Sequence, residues 1–290
     1  MECEKAPKDV ASGHIGGRAR WPIPAGRDVC ASLATMTENG RPDGGPGLGA
    51  GPLRAGEQPA GLPAGRGGPP EGRSIEAVIF DLDGVLVDSE IWWDDVRRDF
   101  ARAHGRPWTL DDRHAVMGQN SRQWAATMQQ RLNLELSTLD IEAAVVDAMV
   151  ERYRREGPPH IDGAADVVRR MAAGHRIAVA SSAHRAVIEA ALDGLGIGGL
   201  LDVVVSSDEV THGKPAPDVY VETARRLGVA PGRCLVVEDS INGIRAAKAA
   251  GMVAVLVPNE SVPPADGAAA LADAVVARLE DVETLLAGGP

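Results

Sequence analysis

From Ser74 onward the chain alternates short apolar runs with longer amphipathic stretches, and the rhythm breaks once, after the first run, for about 70 residues of helical pattern. The alternation predicts an α/β domain: a mostly parallel sheet with helices on both faces, in three layers. EAVIFD (76–81), RIAVA (176–180), DVVV (202–205), CLVVED (234–239) and VAVLVP (253–258) read as buried strands. AADVVRRMAA, HRAVIEAALDGL, DVYVETARRLG and INGIRAAKAAG read as the helices between them. Between the first two strands, IWWDDVRRDFARAH, SRQWAATMQQRL and IEAAVVDAMVERYRR keep a helical period and hold no strand. An insertion of that length is too long for an ordinary crossover. It is therefore expected to form a helical cap over 90–160, above a core built from 74–89 and 161–290. Open parallel sheets bind ligands beyond the carboxyl ends of their strands, which is where chemistry is expected.

Residues 1–73 differ in kind. Roughly a third of them are Gly or Pro, and stretches such as RPDGGPGLGAGPLRAG bury too little surface to offset chain ordering. A disordered extension is predicted. A cleaved leader, a partner-binding tail and upstream sequence translated from a misassigned start all fit that composition. The chain as a whole, 290 residues with a formal charge of −11, argues against a grip on nucleic acid or anionic lipid, which needs clustered Lys and Arg. No apolar run nears the roughly 20 residues of a membrane span, and the opening MECEKAPKDV lacks the apolar centre of a secretion signal. The expected setting is the cytoplasm, the expected partner a small molecule, and the chain a monomer or weak dimer. Cys3, Cys30 and Cys234 are too scattered for a disulfide framework or a CxxC metal site, and Cys234, heading CLVV, is expected in the core.

The strand ends carry the chemistry. VIFDLDGVLVDSE places Asp81 and Asp83 just past a buried run and before a glycine that permits a tight turn. VVEDS places a second acidic pair, Glu238 and Asp239, at another strand end. An aspartate after a strand often caps the next helix, but carboxylates gathered from two strand ends repel unless a cation or proton lies between them. Such an oxygen-rich set suits Mg²⁺. Ser181 and Ser182 follow the strand RIAVA, where a hydroxyl binds a phosphoryl oxygen or caps the next helix equally well. Beyond residue 73 arginine is the usual cation and Lys214 and Lys248 are the only lysines. A lysine in THGKPAPDVY therefore suggests that a compact charge is wanted there. Pro215 is expected in the first turn of the next helix, and Lys248 on a solvated surface.

In their order along the chain, FDLDG, the strand-end Ser181, Lys214 in GKPAPD and VEDS resemble the haloacid dehalogenase-like hydrolases whose helical cap is inserted after the first motif. The resemblance covers Ser74 to Pro290. It implies a Rossmann-like core and a magnesium-dependent phosphotransferase acting on a small phosphorylated metabolite. By that resemblance Asp81 is the nucleophile that becomes an aspartyl phosphate, and Asp83 is the general acid and then base. Magnesium would be held by Asp81, Asp239 and the Asp83 carbonyl, with Glu238 a further or outer ligand. Lys214 and Ser181 would hold the equatorial phosphoryl oxygens, and backbone N–H groups near Leu82 and Ser182 would add to that cradle.

The family hosts other chemistries. Its dehalogenases lack the acid/base aspartate, so Asp83 argues for phosphorus. Its phosphonate hydrolases need a cap lysine, and none lies between Glu90 and His160. Its β-phosphoglucomutases place an acid/base histidine about a dozen residues after the nucleophile, where this chain has Trp93, and His104 lies too far along to replace it. A phosphatase is the leading expectation. A sugar phosphomutase is the alternative, and a non-catalytic binding or regulatory member is disfavoured by the intact Asp81, Asp83, Lys214 and Asp239. The cap is expected to set specificity: Trp92 and Trp93 open it, Trp93 as a substrate contact, with at least one of the two serving as packing. MGQNSRQW offers Gln119, Asn120, Ser121 and Arg122 to the cleft. Arg122 is read equally as a second-phosphate ligand or as a solvated charge. The histidines show no metal-ligand spacing.

Overall fold

A computed structural model describes residues 74–288. The extension over 1–73, with Cys3 and Cys30, lies outside the described residues. Strands β1 (Ala77–Phe80), β2 (Arg176–Ser181), β3 (Val203–Ser206), β4 (Cys234–Glu238), β5 (Val253–Leu256) and β6 (Ala274–Val275) form one sheet in the order β3-β2-β1-β4-β5-β6, every neighbouring pair parallel. Their apolar runs are continuous rather than alternating because both faces are covered, and every residue of β1, β4 and β5 is buried.

Four helices, α1 (Glu90–Ala103), α2 (Leu110–Val116), α3 (Ser121–Arg131) and α4 (Thr138–Glu156), lie between β1 and β2 in the chain. They bury Trp124, Met128, Ile141, Val145, Met149 and Tyr153. The helices that follow in the chain are α5 (Ala164–Met171), α6 (Arg185–Leu195), α7 (Asp218–Leu227), α8 (Ile241–Ala249), α9 (Ala268–Leu271) and α10 (Asp281–Leu286). In the main core Ile79, Ala178, Val205, Val236 and Leu256 from the sheet pack with Tyr220, Leu227 and Ile244 from α7 and α8. Cys234 is fully buried there, as expected.

Some features depart from the sequence reading. Helix α2 was not anticipated, although Thr109 and Asp112 form a capping box: Asp112 N–H donates to Thr109 Oγ1 at 3.2 Å and Thr109 N–H to Asp112 Oδ2 at 2.9 Å. Strand β6 has two residues, too few to leave a pattern. It is set by Asp273, whose carboxylate accepts from Ala254 N–H at 2.9 Å and from Lys248 Nζ at 2.5 Å. Lys248 itself is a surface charge, as expected, and its partner there is Asp273. Helix α7 begins at Asp218, so Pro215 belongs to the turn before it, where Ala216 N–H donates to Gly213 O at 3.0 Å. Among the described residues no helix is long and apolar enough to cross a membrane.

From β1 the chain steps to β2 and β3 on one side, then returns to β4, β5 and β6 on the other. The carboxyl ends of β1 and β4 therefore flank the point where the strand order reverses, and a crevice opens there.

Candidate active site

Asp81 and Asp83 leave β1 in a turn closed by hydrogen bonds from Gly84 N–H to Val87 O (2.7 Å) and from Leu86 N–H to Leu82 O (2.9 Å). Gly84 has φ of +87°, and a Cβ there would run into the Asp239 carboxylate. Glycine at 84 thus serves both the turn and the approach of the β4 loop to the β1 loop. One oxygen each from Asp81, Glu238 and Asp239 lies within 4.8 Å of the others.

Lys214 reaches this cluster from the loop after β3. Its Nζ donates to Asp81 Oδ1 (2.6 Å), Glu238 Oε1 (2.6 Å) and Ala180 O (3.1 Å), which uses all three ammonium protons. Glu238 is fully buried. Its Oε1 also accepts from Tyr220 Oη at 2.7 Å, and its Oε2 accepts from Asp239 N–H at 3.2 Å, Ser240 N–H at 3.1 Å and Ser240 Oγ at 2.9 Å. Glu238 is therefore the post that fixes Lys214 and the start of α8. A Cβ at Gly243 would overlap its carboxylate. Gly243→Ala is accordingly expected to cost about 1–3 kcal/mol through overpacking, seen as a thermal midpoint lower by several degrees, and to reduce activity by displacing Lys214. An unchanged midpoint would mean that the Glu238 carboxylate is free to swing aside.

Asp83 accepts at Oδ1 from Ser89 Oγ and from Trp93 Nε1 (3.3 Å), and at Oδ2 from Ser181 Oγ at 3.5 Å. Ser181 Oγ in turn accepts from Ala183 N–H at 3.0 Å. Burial raises the Asp83 carboxyl above its usual range, against the lowering effect of the Ser89 and Trp93 hydrogen bonds. Burial pushes Asp81 up to about 7 even with Lys214 in contact. Asp239 rises well above the usual range through burial, reinforced by the charges of Glu238 and Asp81. Burial alone would raise Glu238 too, but the Lys214 ammonium and its hydrogen bonds hold it below the ordinary value. Asp81, Asp83, Glu90, Glu238 and Asp239 gather around Lys214 and Arg97, with Arg113 also acting on Glu90, so acidic groups outnumber cations there.

A cavity of about 330 Å³ opens over this floor, lined from the core by Asp81, Asp83, Ser182, Lys214 and Asp239 and from the insertion by Glu90, Trp93, Arg97, Gln119 and Trp124. Of the residues proposed from sequence, Trp93, Gln119 and Ser182 reach it. Ser181 and Glu238 lie beneath it, fully buried. Ser121 and Arg122 do not line it. Asn120 caps α3, accepting from Gln123 N–H at 3.0 Å, and the first helical turn then directs Ser121 into the protein and Arg122 out to solvent. Trp92 packs on Tyr153, with ring centroids 5.7 Å apart, and lies under Arg152. Sequence reasoning missed Ser89, Tyr220, Glu90 and Arg97. The helical spacing of Glu90, Trp93 and Arg97 would have placed the last two on one face of α1 with Trp93.

A family model described as haloacid dehalogenase-like hydrolase matches residues 75–251. The chain is 30% identical over 217 residues to the bifunctional riboflavin kinase/FMN phosphatase of Arabidopsis thaliana, an alignment covering 71% of this chain and 54% of that relative, so it spans about half of that protein's length. It is 31% identical over 180 residues to the phosphorylated carbohydrates phosphatase of Thermotoga maritima, covering 61% of this chain and 82% of that one. A crystal structure of CbbY from Rhodobacter sphaeroides in complex with phosphate superposes with a TM-score of 0.63 at 27% identity, covering 72% of this chain and 96% of that one. With a parallel sheet of this order, an insertion after the first strand and acidic pairs at the ends of β1 and β4, the chain belongs to the haloacid dehalogenase-like hydrolases, the family of these phosphatases.

Proposed function

We propose that this chain is a magnesium-dependent phosphatase that hydrolyses a small phosphate monoester, a sugar phosphate or similar metabolite, through an aspartyl phosphate on Asp81. The observation that carries this reading is Asp81 at the floor of the cavity, held by Lys214 at 2.6 Å beside the oxygens of Glu238 and Asp239. The donor set fits magnesium, because it consists of hard carboxylate oxygens with an excess of negative charge. Asp81, Asp239 and the Asp83 carbonyl would hold the ion, with Glu238, whose oxygens already serve Lys214 and Ser240, outside them. When bound, it supplies the positive charge that lets an anionic nucleophile meet an anionic phosphate.

The residues of the chain then divide the work. An Asp81 oxygen attacks phosphorus, the ester P–O bond breaks, and Asp83 gives its proton to the leaving oxygen, a task suited to a carboxyl raised above its usual range. Asp83, now a carboxylate, takes a proton from water as that water attacks phosphorus and the Asp81–phosphorus bond breaks. Ser181, Lys214 and backbone N–H groups near Leu82 and Ser182 hold the equatorial oxygens. The Lys214 bond to Asp81 is the one a phosphoryl oxygen would share. Helices α1 to α4 would act as the cap and choose the substrate through Trp93 and Gln119. An acidic, monomeric or weakly dimeric enzyme of the cytoplasm suits a small metabolite.

The phosphomutase reading would need an acid/base group where Trp93 stands, and an indole N–H, which donates to Asp83 at 3.3 Å, neither takes nor releases a proton at neutral pH. Phosphate release from a chromogenic ester is expected with magnesium and to vanish on chelation. With β-glucose 1-phosphate and a catalytic amount of the bisphosphate, little glucose 6-phosphate is expected. Rapid isomerisation without matching phosphate release would promote the mutase, and inertness toward every ester would leave the binding module.

A further inference from the structure

Arg97 is a charged side chain whose position the chemistry above does not use. It is 7% exposed and lines the cavity. Its guanidinium carbon lies 4.9 Å from the Trp93 ring centroid and 5.3 Å from that of Trp124. Its Nε is buried with no hydrogen-bond partner, and none of the ion pairs among the described residues includes it. Burial pulls it down to about 10 against the raising charges of Glu90, Asp83 and Asp94, none of which forms an ion pair with it, so it remains a cation at neutral pH. Two tryptophan faces attract a guanidinium but accept none of its hydrogen bonds, and a desolvated charge is normally paired. Leucine or methionine would cover the same corner of the touching Trp93 and Trp124 rings, whose centroids lie 6.3 Å apart, without that cost.

We infer that Arg97 is the specificity-determining residue of the cap, binding a second oxyanion, a carboxylate or a phosphate, on the part of the substrate that leaves with the alcohol. The inference rests on the phosphatase reading and narrows its substrate class to phosphate monoesters that are doubly anionic in this sense. The fork of a guanidinium matches either oxyanion with two parallel hydrogen bonds. The stack on Trp93 and Trp124 pre-orients it, so little freedom is lost on binding. Because Trp93 also donates to Asp83, the ring that seats Arg97 touches the acid/base residue. The anion site and the reaction centre are thereby joined through one side chain. Arg122, out in solvent, is not placed for this task.

The test compares matched esters that differ only in the second group: 3-phosphoglycerate with glycerol 3-phosphate, and fructose 1,6-bisphosphate with fructose 1-phosphate. In at least one pair kcat/KM for the anionic member is expected to exceed its neutral twin by about 10- to 100-fold, the worth of a charge-assisted hydrogen bond. Arg97→Gln should bring that ratio close to one, and Arg97→Lys, which keeps the charge but loses the fork, should leave it intermediate. The pair that responds tells carboxylate from phosphate. A neutral twin preferred in both pairs by the unsubstituted enzyme overturns the inference even if the glutamine variant fails to fold. So does a ratio that survives Arg97→Gln while both rates fall, which is the signature of simple packing. Chromogenic ester hydrolysis run alongside separates the two failures. If that ester is cleaved and the ratios do not respond, only the anion site is lost; if no ester is cleaved, the phosphatase reading is lost with it.

Discussion

Asp81→Asn is expected to abolish turnover, by at least about 10⁵-fold, the scale seen when a nucleophile is removed. It should also abolish the phospho-enzyme trapped by acid quench after incubation with a radiolabelled ester. The amide keeps the shape of the carboxylate but cannot form the acyl phosphate. The same change should not weaken the fold. Asp81 is buried among Glu238, Asp239 and Asp83, and its carboxyl is raised to about 7. A raised folded-state value means that ionisation works against folding once the pH exceeds the unfolded value. Removing the charge therefore relieves repulsion, while Lys214 keeps its bond to Glu238. The expected thermal midpoint is equal to or above that of the unsubstituted chain. Label retained on Asp81→Asn at the normal level would move the nucleophile elsewhere.

Asp83→Asn should slow esters of poorly leaving alcohols by about 10²–10⁴-fold, the range for lost general acid–base catalysis. The asparagine carbonyl can still accept from Ser89 and Trp93, so the turn is expected to stay in place. An ester with a good leaving group needs no proton in the first step. With such an ester the variant should form the phospho-enzyme quickly and hydrolyse it slowly, so that label accumulates. Rapid-quench measurement separates the two steps. Normal turnover of a simple alkyl phosphate by Asp83→Asn would remove Asp83 from the acid/base role.

The main plan of the fold was legible because strands buried on both faces must be apolar throughout and the helices over them must be amphipathic, and both leave a period. Five of the six strands stand out in this way. The acidic pairs stand out for the opposite reason, since polar residues that end apolar runs break a pattern. Features without a period were not legible: β6 is two residues long, and α2 is a short helix whose capping box was overlooked. Within the site the residues of the motifs themselves were found, and the partners outside those motifs were not. Tyr220 meets Glu238 from α7, Ser89 meets Asp83 from the head of α1, and Arg97 meets Trp124 from another helix.

What the sequence alone determined here is the order of the layers and the charged groups that meet at the crevice, Asp81, Asp83, Glu238 and Asp239 from strand ends and Lys214 from the loop after β3, because burial and charge both constrain residue type there. Only the tertiary structure decided how those groups share their hydrogen bonds. It made Glu238 the anchor of Lys214, turned Ser121 inward and Arg122 outward, and set Arg97 against two touching tryptophans. Each of these outcomes depends on the angle at which a helix meets another element, and a linear pattern of residue types does not encode that angle.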